Sequence, residues 1–429
     1  MEGKYYEELD ETLYRKVLPS GAKLLVNPRK GFTRKLAYFV TDFGSVHRDF
    51  SLEGKTYRAP QGVAHYLEHK MFDMPGGMDV TQAFADLGAS VNAFTSYDMT
   101  AYYFVTTENF SRCLELLLQF VSTGYFTEET VEKERGIIDQ EIGMNVDSAD
   151  TRVFENLMES LYEDHPIREP ILGTRETIRE ITPEILRTVH RAFYTPGNMT
   201  ISVVGDVDPG QVEEIANRVL GTEKKPVGLK LRPWQEGAKA LQPLVEDQME
   251  VVMPTFQLGF KCPPICRGEA AIRQEMVADL ASEAVFGESS RLYLRLYEQG
   301  LIDTSFGGGY DTVDGAAMLM CSGDSQEPMK VRDAILEETR RICREGIPRE
   351  EFLTMKRSAL GRRIRGLDSF DGSCFRICSY DISDFDYFTF PELYREIREQ
   401  ELLDFLGSAI TEDTCSLSIV YPSHKEAEV

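Results

Sequence analysis

Ala59-Pro60-Gln61-Gly62-Val63-Ala64-His65-Tyr66-Leu67-Glu68-His69 is the stretch from which the rest of the chain is best read. Pro and Gly precede a run of helical composition, so a helix is expected over 62–72. At about 3.6 residues per turn, His65 and His69 lie one above the other on such a helix, and both imidazoles can point at one ion. Glu68, three residues after His65, projects near the same face. Two neutral nitrogen donors beside a carboxylate that can take a proton from water are what a zinc hydrolase needs. Chance combination gives this five-residue pattern roughly once in a hundred chains with so few histidines, of which this one has six. The competing account is a pair of histidines on an ordinary helix face with Glu68 in solvent, and spacing alone leaves both open.

A zinc site needs a third protein ligand. A long helix is expected over 128–162, and Glu134 and Glu141 on it are seven residues, or two turns, apart, so both can face one partner helix. Glu132, Glu134 and Glu141 could equally form a solvated face. However, Gly136-Ile137-Ile138 and Ile142 make the stretch partly apolar, and a buried glutamate ordinarily has a cation for a partner.

Around these motifs the chain reads as two halves. Strands are expected over 22–27 and 35–43, helices over 62–72 and 80–87, and a strand pair over 89–95 and 100–107. Helices over 109–122, 128–162 and 183–193, a strand over 200–204 and a helix over 210–219 complete the first half. A basic, Pro- and Gly-bearing stretch follows. The second half repeats the order: strand 257–261, helices 269–286 and 290–298, strands 304–310 and 316–323, helices 328–345, 349–365 and onward to 406, and strand 416–421. The repetition favours two related α+β domains over one doubly wound sheet. The expected division is 1–221, a linker over 222–245, and 246–429.

Composition narrows the function. The 429 residues are 42% hydrophobic and 28% charged, a globular balance that suits two to four domains of roughly 100–200 residues. No stretch approaches the ~20 apolar residues of a membrane-spanning helix, and the first eight residues have neither a basic nor an apolar region, so a cytoplasmic location is expected. Against 71 Asp and Glu stand 47 Lys and Arg, a net charge of −24. Such a surface repels phosphate backbones, so nucleic acid is not an expected partner. A neutral or cationic peptide suits it, although solubility alone explains it equally well. The eight cysteines are expected to be reduced. Cys262/Cys266 and Cys374/Cys378 share Cys-x3-Cys spacing, but no histidine lies near either pair and the usual zinc knuckle is tighter, so packing is the expected role.

His65-Tyr66-Leu67-Glu68-His69 followed by Glu134-Arg135-Gly136-Ile137-Ile138-Asp139-Gln140-Glu141 resembles the inverzincin signature of the pitrilysin/insulysin metallopeptidase family, which includes the mitochondrial processing peptidases. Further pieces match. Leu87-Gly88-Ala89-Ser90-Val91-Asn92-Ala93-Phe94-Thr95-Ser96 resembles a family strand. His165-Pro166-Ile167 with Ile171-Leu172-Gly173-Thr174 resembles a loop before a helix. Phe193-Tyr194-Thr195-Pro196-Gly197-Asn198-Met199 with Gly205-Asp206 resembles the segment entering the last strand of the catalytic domain. The second half matches mainly in element order and in Ser289-Ser290-Arg291-Leu292.

The resemblance implies a zinc-dependent endopeptidase that cleaves short, extended or unfolded peptides. One Zn²⁺ per chain would be held by His65, His69 and Glu141, with Glu68 as general base and proton donor and Glu134 orienting a ligand. Asn92, Ala93, Phe94 and Thr95 would be the edge against which a peptide lies, although an ordinary interior strand is the alternative. His47, His165, His190 and His424 are expected to be structural. The resemblance further implies two antiparallel-rich sheets packed with helices, together half of a clamshell chamber closed by a second subunit. One departure stands out. Many members carry an Arg and a Tyr in the second domain that help to hold the substrate carbonyl. Here Tyr297 and Asp303 occupy the comparable positions, and a carboxylate opposes an oxyanion. Arg291, Arg295 and Tyr310 are weak substitutes. The pair could instead come from a partner, a related chain in a heterodimer first and a second copy next. A non-catalytic peptide-binding or scaffold subunit is the alternative function.

Overall fold

In the computed structural model, which describes residues 1–221, 228–264 and 267–423, two sheets repeat one topology. The first is ordered β1-β2-β3-β7-β4-β6-β5, with β1 Glu2–Tyr6, β2 Glu11–Val17, β3 Lys23–Pro28, β4 Lys35–Thr41, β5 Ala89–Thr95, β6 Thr100–Thr106 and β7 Met199–Gly205. The second is ordered β8-β12-β9-β11-β10, with β8 Leu244–Met249, β9 Thr255–Lys261, β10 Gly307–Val313, β11 Ala316–Asp324 and β12 Cys415–Pro422. In the first sheet β3 and β7 run parallel and the other neighbours antiparallel. In the second, β8 and β12 run parallel and the rest antiparallel. Strand for strand, 3-7-4-6-5 of the first sheet returns as 8-12-9-11-10, so the α+β class and the internal repeat are both present.

Burial explains the strands. β7 is buried along its whole length and β4 nearly so, as central strands covered on both faces should be. Among the described residues β5 is the last strand of its sheet and pairs with β6 alone, with Thr95 opposite Thr100 and Ala93 opposite Tyr102. The segment 92–95 therefore lies at an edge and not in the interior. β1 and β2 went unexpected because only Tyr6 and Leu13 among their residues are buried, too few apolar positions to mark a strand.

The helix expected over 128–162 is two helices, α2 Glu128–Val146 and α3 Ala149–Leu161. Ser148 is extended between them, and its side chain accepts from the Thr151 N–H at 3.3 Å, a strong helix-start signal inside an otherwise helical run.

The chain forms two compact units that interleave in sequence. One comprises Met1–Ile142, Pro170–Pro233 and Arg363–Phe390, the other Gly143–Glu169, Trp234–Arg362 and Pro391–Val429. The expected division into 1–221, 222–245 and 246–429 is contiguous, so the two descriptions differ in α3 and in a helix near the C-terminus. In the second unit, α3 is tied down by Ser160 Oγ, 2.6 Å from Ser416 Oγ on β12, while the following Tyr162 donates to the Ala317 carbonyl at 3.0 Å. In the first unit, the helix Phe370–Ile382 lies on β7, where the Cys374 thiol donates to the Ser202 carbonyl at 3.2 Å and Cys378 to Thr200 at 3.7 Å. These two cysteines pack as expected, and burial pushes the Cys374 thiol up to about 12. Cys262 is buried, whereas Cys266 lies outside the described residues.

Part of the expected linker is built into the units. Leu229–Leu231 pairs with Asp49–Leu52 in the first unit. In the second, Glu236 accepts from the backbone N–H groups of Asp164 and His165 and, at 2.7 Å, from Lys261. Residues 222–227 lie outside the described residues. No helix among the described residues is long and apolar enough to cross a membrane.

Three of the remaining histidines serve local structure. His47 Nδ1 accepts from the Gly44 N–H, and His165 Nδ1 from the Ile167 N–H, each at 3.1 Å. His190, on the helix α4 Pro183–Phe193, stacks on Tyr194, and its Nε2 lies 3.3 Å from the Val121 carbonyl oxygen. His424 is outside the described residues. Burial lowers His190 to about 4. A base depressed in the fold binds its proton better when unfolded, so this stability is present above the unfolded pKa and lost as pH falls from about 6.5 toward 4. Between pH 7.5 and 5, urea unfolding should show about 2 kcal/mol of loss from this residue, and His190→Gln should lose that much less over the same interval.

Candidate metal centre

The site rests on a short helix, α1 Val63–Lys70. Its start is Gly62, in the left-handed region at φ 86°, whose carbonyl accepts from the Tyr66 N–H at 2.9 Å. Val63, Ala64, Tyr66 and Leu67 face inward and are buried in the core of the first unit. The Tyr66 hydroxyl donates to the Val131 carbonyl, fastening α1 to the first turns of α2. With one face held this way, the rings of His65 and His69 stand side by side, their centroids 4.6 Å apart.

Helix α2 brings the glutamates. Glu141 Oε2 lies 3.8 Å from His65 Nε2 and 3.7 Å from His69 Nε2. These separations are too long for hydrogen bonds. They are close to the edge of a tetrahedron whose centre is about 2.1 Å from each corner, roughly 3.4 Å, which is the spacing of zinc ligands. Glu134 Oε1 lies 3.0 Å from His69 Nδ1. A carboxylate acceptor there places the ring proton on Nδ1 and leaves the Nε2 lone pair directed toward Glu141. The two nitrogens and the carboxylate of residues 65, 69 and 141 thus fit a zinc ion.

Glu68 stands beside this group. Its ligand atom and those of His65 and His69 lie within 4.8 Å of one another. The Thr95 hydroxyl on β5 donates to Glu68 Oε2 at 3.1 Å, so the carboxylate has an anchor of its own.

Electrostatics separates the residues. Burial, and then the nearness of His69, lowers His65 to about 4, which keeps it a neutral donor at pH 7. Its Nδ1 is buried without a hydrogen-bond partner among the described residues. For His69, burial pulls downward, but the Glu134 hydrogen bond and the carboxylates of Glu68 and Glu141 outweigh it, and the net direction is up. Burial raises Glu68 above the usual carboxylate range. Burial acts the same way on Glu134, but the His69 hydrogen bond and Lys70 overcome it and hold that carboxyl low.

His65, Glu68, His69, Glu134 and Glu141 therefore meet in one unit, with the 92–95 edge beside them through Thr95. Sequence reasoning missed two partners. Thr95 was expected only as part of the edge, yet its side chain supports Glu68. Lys70 drew no attention, although a charged residue one turn past the buried Tyr66 and Leu67 was a signal. In the second unit, Tyr297 on the helix α5 Arg291–Glu298 is 49% exposed and stacks on Tyr293. The Asp303 carboxylate caps Ser305, accepting from its N–H at 2.8 Å and its hydroxyl at 2.6 Å, which holds Asp303 low. The Tyr310 hydroxyl accepts from Gln274 at 3.0 Å, and Arg295 lies 4.0 Å from Glu337.

Known proteins resemble this chain over most of its length. The insulinase (peptidase family M16) profile matches residues 54–175, and the profile of the M16 peptidase inactive domain matches residues 180–359. The uncharacterized zinc protease YmfH of Bacillus subtilis is 35% identical over 425 residues, covering 97% of this chain and 98% of its own. YmxG of the same organism, also named an uncharacterized zinc protease, is 26% identical over 86% of this chain and 91% of its own. Among solved structures, an M16-like peptidase from Alicyclobacillus acidocaldarius superposes with a TM-score of 0.92 at 30% identity, covering 96% of this chain and 99% of that one. Pitrilysin shares the fold at a TM-score of 0.78 and 16% identity, with 98% of this chain matched to 46% of that one.

Proposed function

This chain belongs to the M16 (insulinase) peptidase family, and on that premise we propose that it is a zinc-dependent endopeptidase acting on short, extended or unfolded peptides. The observation that carries the proposal is the approach of Glu141 to both imidazoles, with Glu68 beside them on its own anchor. His65, His69 and Glu141 would hold one zinc ion per chain. When bound, zinc supplies Lewis-acid polarisation of the scissile carbonyl and acidifies a water molecule. Glu68 takes the proton from the attacking water and returns it to the leaving nitrogen. Thr95 keeps the Glu68 carboxylate in place, and Glu134 keeps His69 turned toward the ion.

Asn92, Ala93, Phe94 and Thr95 receive the peptide as an added strand, since among the described residues β5 pairs only with β6. Such pairing reads backbone first. A folded protein cannot offer a strand to this edge without first unfolding, which selects for short or unfolded substrates. The reading includes a closed chamber made with a second subunit, a related chain or another copy. Asp303 supports that part, because a carboxylate at the position where many family members carry Tyr opposes an oxyanion. The same carboxylate favours the second reading, a subunit that binds peptides without turning them over. The described cysteines are all unpaired thiols, which suits a reducing compartment such as the cytoplasm.

Metal analysis of the purified protein should find about one zinc per chain. Hydrolysis of an unstructured fluorogenic peptide should stop after dialysis against a chelator and return on adding zinc. Unchanged hydrolysis by the metal-free protein would refute the assignment, and the mass of the native assembly tests the second subunit.

A further inference from the structure

Lys70 ends α1, and its side chain is 1% exposed. It continues the inward series of Val63, Tyr66 and Leu67, where a leucine or methionine would serve packing alone. Burying an ammonium group costs several kcal/mol unless it is paired. The Lys70 ammonium has two partners. It is paired with Asp73, on the short hairpin formed by Asp73–Met74 and Met78–Asp79, and lies 3.5 Å from Glu134 Oε2. The other Glu134 oxygen, Oε1, is the one 3.0 Å from His69 Nδ1. One carboxylate is thus held at both oxygens, by Lys70 and by the imidazole of the preceding residue.

A glutamate side chain on a helix surface has several rotamers and a carboxylate plane that turns freely, and each orientation would aim a different atom at His69. A charged group at Oε2 removes that freedom. We propose that Lys70 is a positioning residue of the metal centre, clamping Glu134 so that Glu134 in turn holds His69 with Nε2 directed at the ion. The proposal rests on the zinc-site reading above. It also gives a reason for a charge where packing asks for none.

The test measures zinc affinity of the apo full-length protein by competition with a chromophoric chelator, without reference to turnover. Lys70→Met should weaken zinc binding about tenfold, the lower end of the loss seen when a ligand's own outer partner is removed, because Lys70 acts one contact further out. Lys70→Gln keeps a neutral donor and should fall between wild type and Lys70→Met; it carries the same test if the methionine variant does not fold. In a Glu134→Gln background the Lys70→Met step should change the dissociation constant by less than about threefold, because the residue through which it acts is already altered. A purely structural lysine would instead show the same loss in both backgrounds, and that result overturns the proposal. So does a Lys70→Met affinity within about twofold of a wild type that binds one zinc. A wild type that binds no zinc removes the site reading together with this one, so the two failures are distinguishable.

Discussion

Glu68→Gln is expected to lower kcat for peptide hydrolysis by about 10²- to 10⁴-fold while zinc content stays unchanged. The upper figure corresponds to about 5.5 kcal/mol of barrier. An amide has nearly the size of the carboxylate and can still accept from the Thr95 hydroxyl, so the local packing survives. What it loses is the ability to take up a proton. His65, His69 and Glu141 keep their mutual spacing, and metal retention follows. Because the lost interaction exists only while the proton is in flight, KM should move far less than kcat. The experiment also separates the two functional readings. A variant as active as wild type would leave Glu68 without the role given to it. Zinc and peptide binding without turnover in either protein would point to the scaffold subunit instead.

How much of this was readable beforehand depended on the range of each contact. His65, Glu68 and His69 lie within five residues, so helical periodicity alone put them on one face. Glu134 and Glu141 were separable by two turns of one helix, but their meeting with α1 required the family resemblance. The Thr95–Glu68 and Lys70–Glu134 contacts bridge elements, so the spacing that puts Lys70 on the inward face of α1 could not name its partner. The same holds for helices α3 and Phe370–Ile382. Their apolar faces predicted burial, yet nothing local says which sheet receives each one, and the units came out interleaved. Ser148, by contrast, was a readable cap that the surrounding helical pattern masked. Element order along the chain was legible because the two halves share it, whereas β1 and β2 add strands at one side of the first sheet that the second sheet does not repeat.

Gly62→Ala should unfold the protein more easily by about 3–5 kcal/mol in urea, a large effect for one methyl group. Two terms add. Gly62 sits at φ 86°, where a side chain costs about 1–2 kcal/mol. Its added Cβ would also fall 2.3 Å from the Leu172 carbonyl oxygen, which is backbone and cannot rotate away. Relief from the other side is blocked, because Gly173 at φ 70° crosses equally close, its own Cβ position 2.5 Å from the Gln61 carbonyl oxygen. The two segments touch backbone to backbone at the residue that precedes α1. Any shift that frees the methyl group therefore moves the helix carrying His65 and His69, and zinc affinity should fall together with stability. Gly136→Ala supplies the opposite case. Gly136 lies inside α2 between Glu134 and Glu141, with nothing within 4 Å of an added Cβ. There the methyl group should stabilise by about 0.5–1 kcal/mol, since alanine loses less backbone freedom in a helix. One chemical change thus has two signs at two positions bordering the same metal centre. Equal stability of Gly62→Ala and wild type would mean that the crossing at Leu172 yields, and that α1 is placed by its buried face alone.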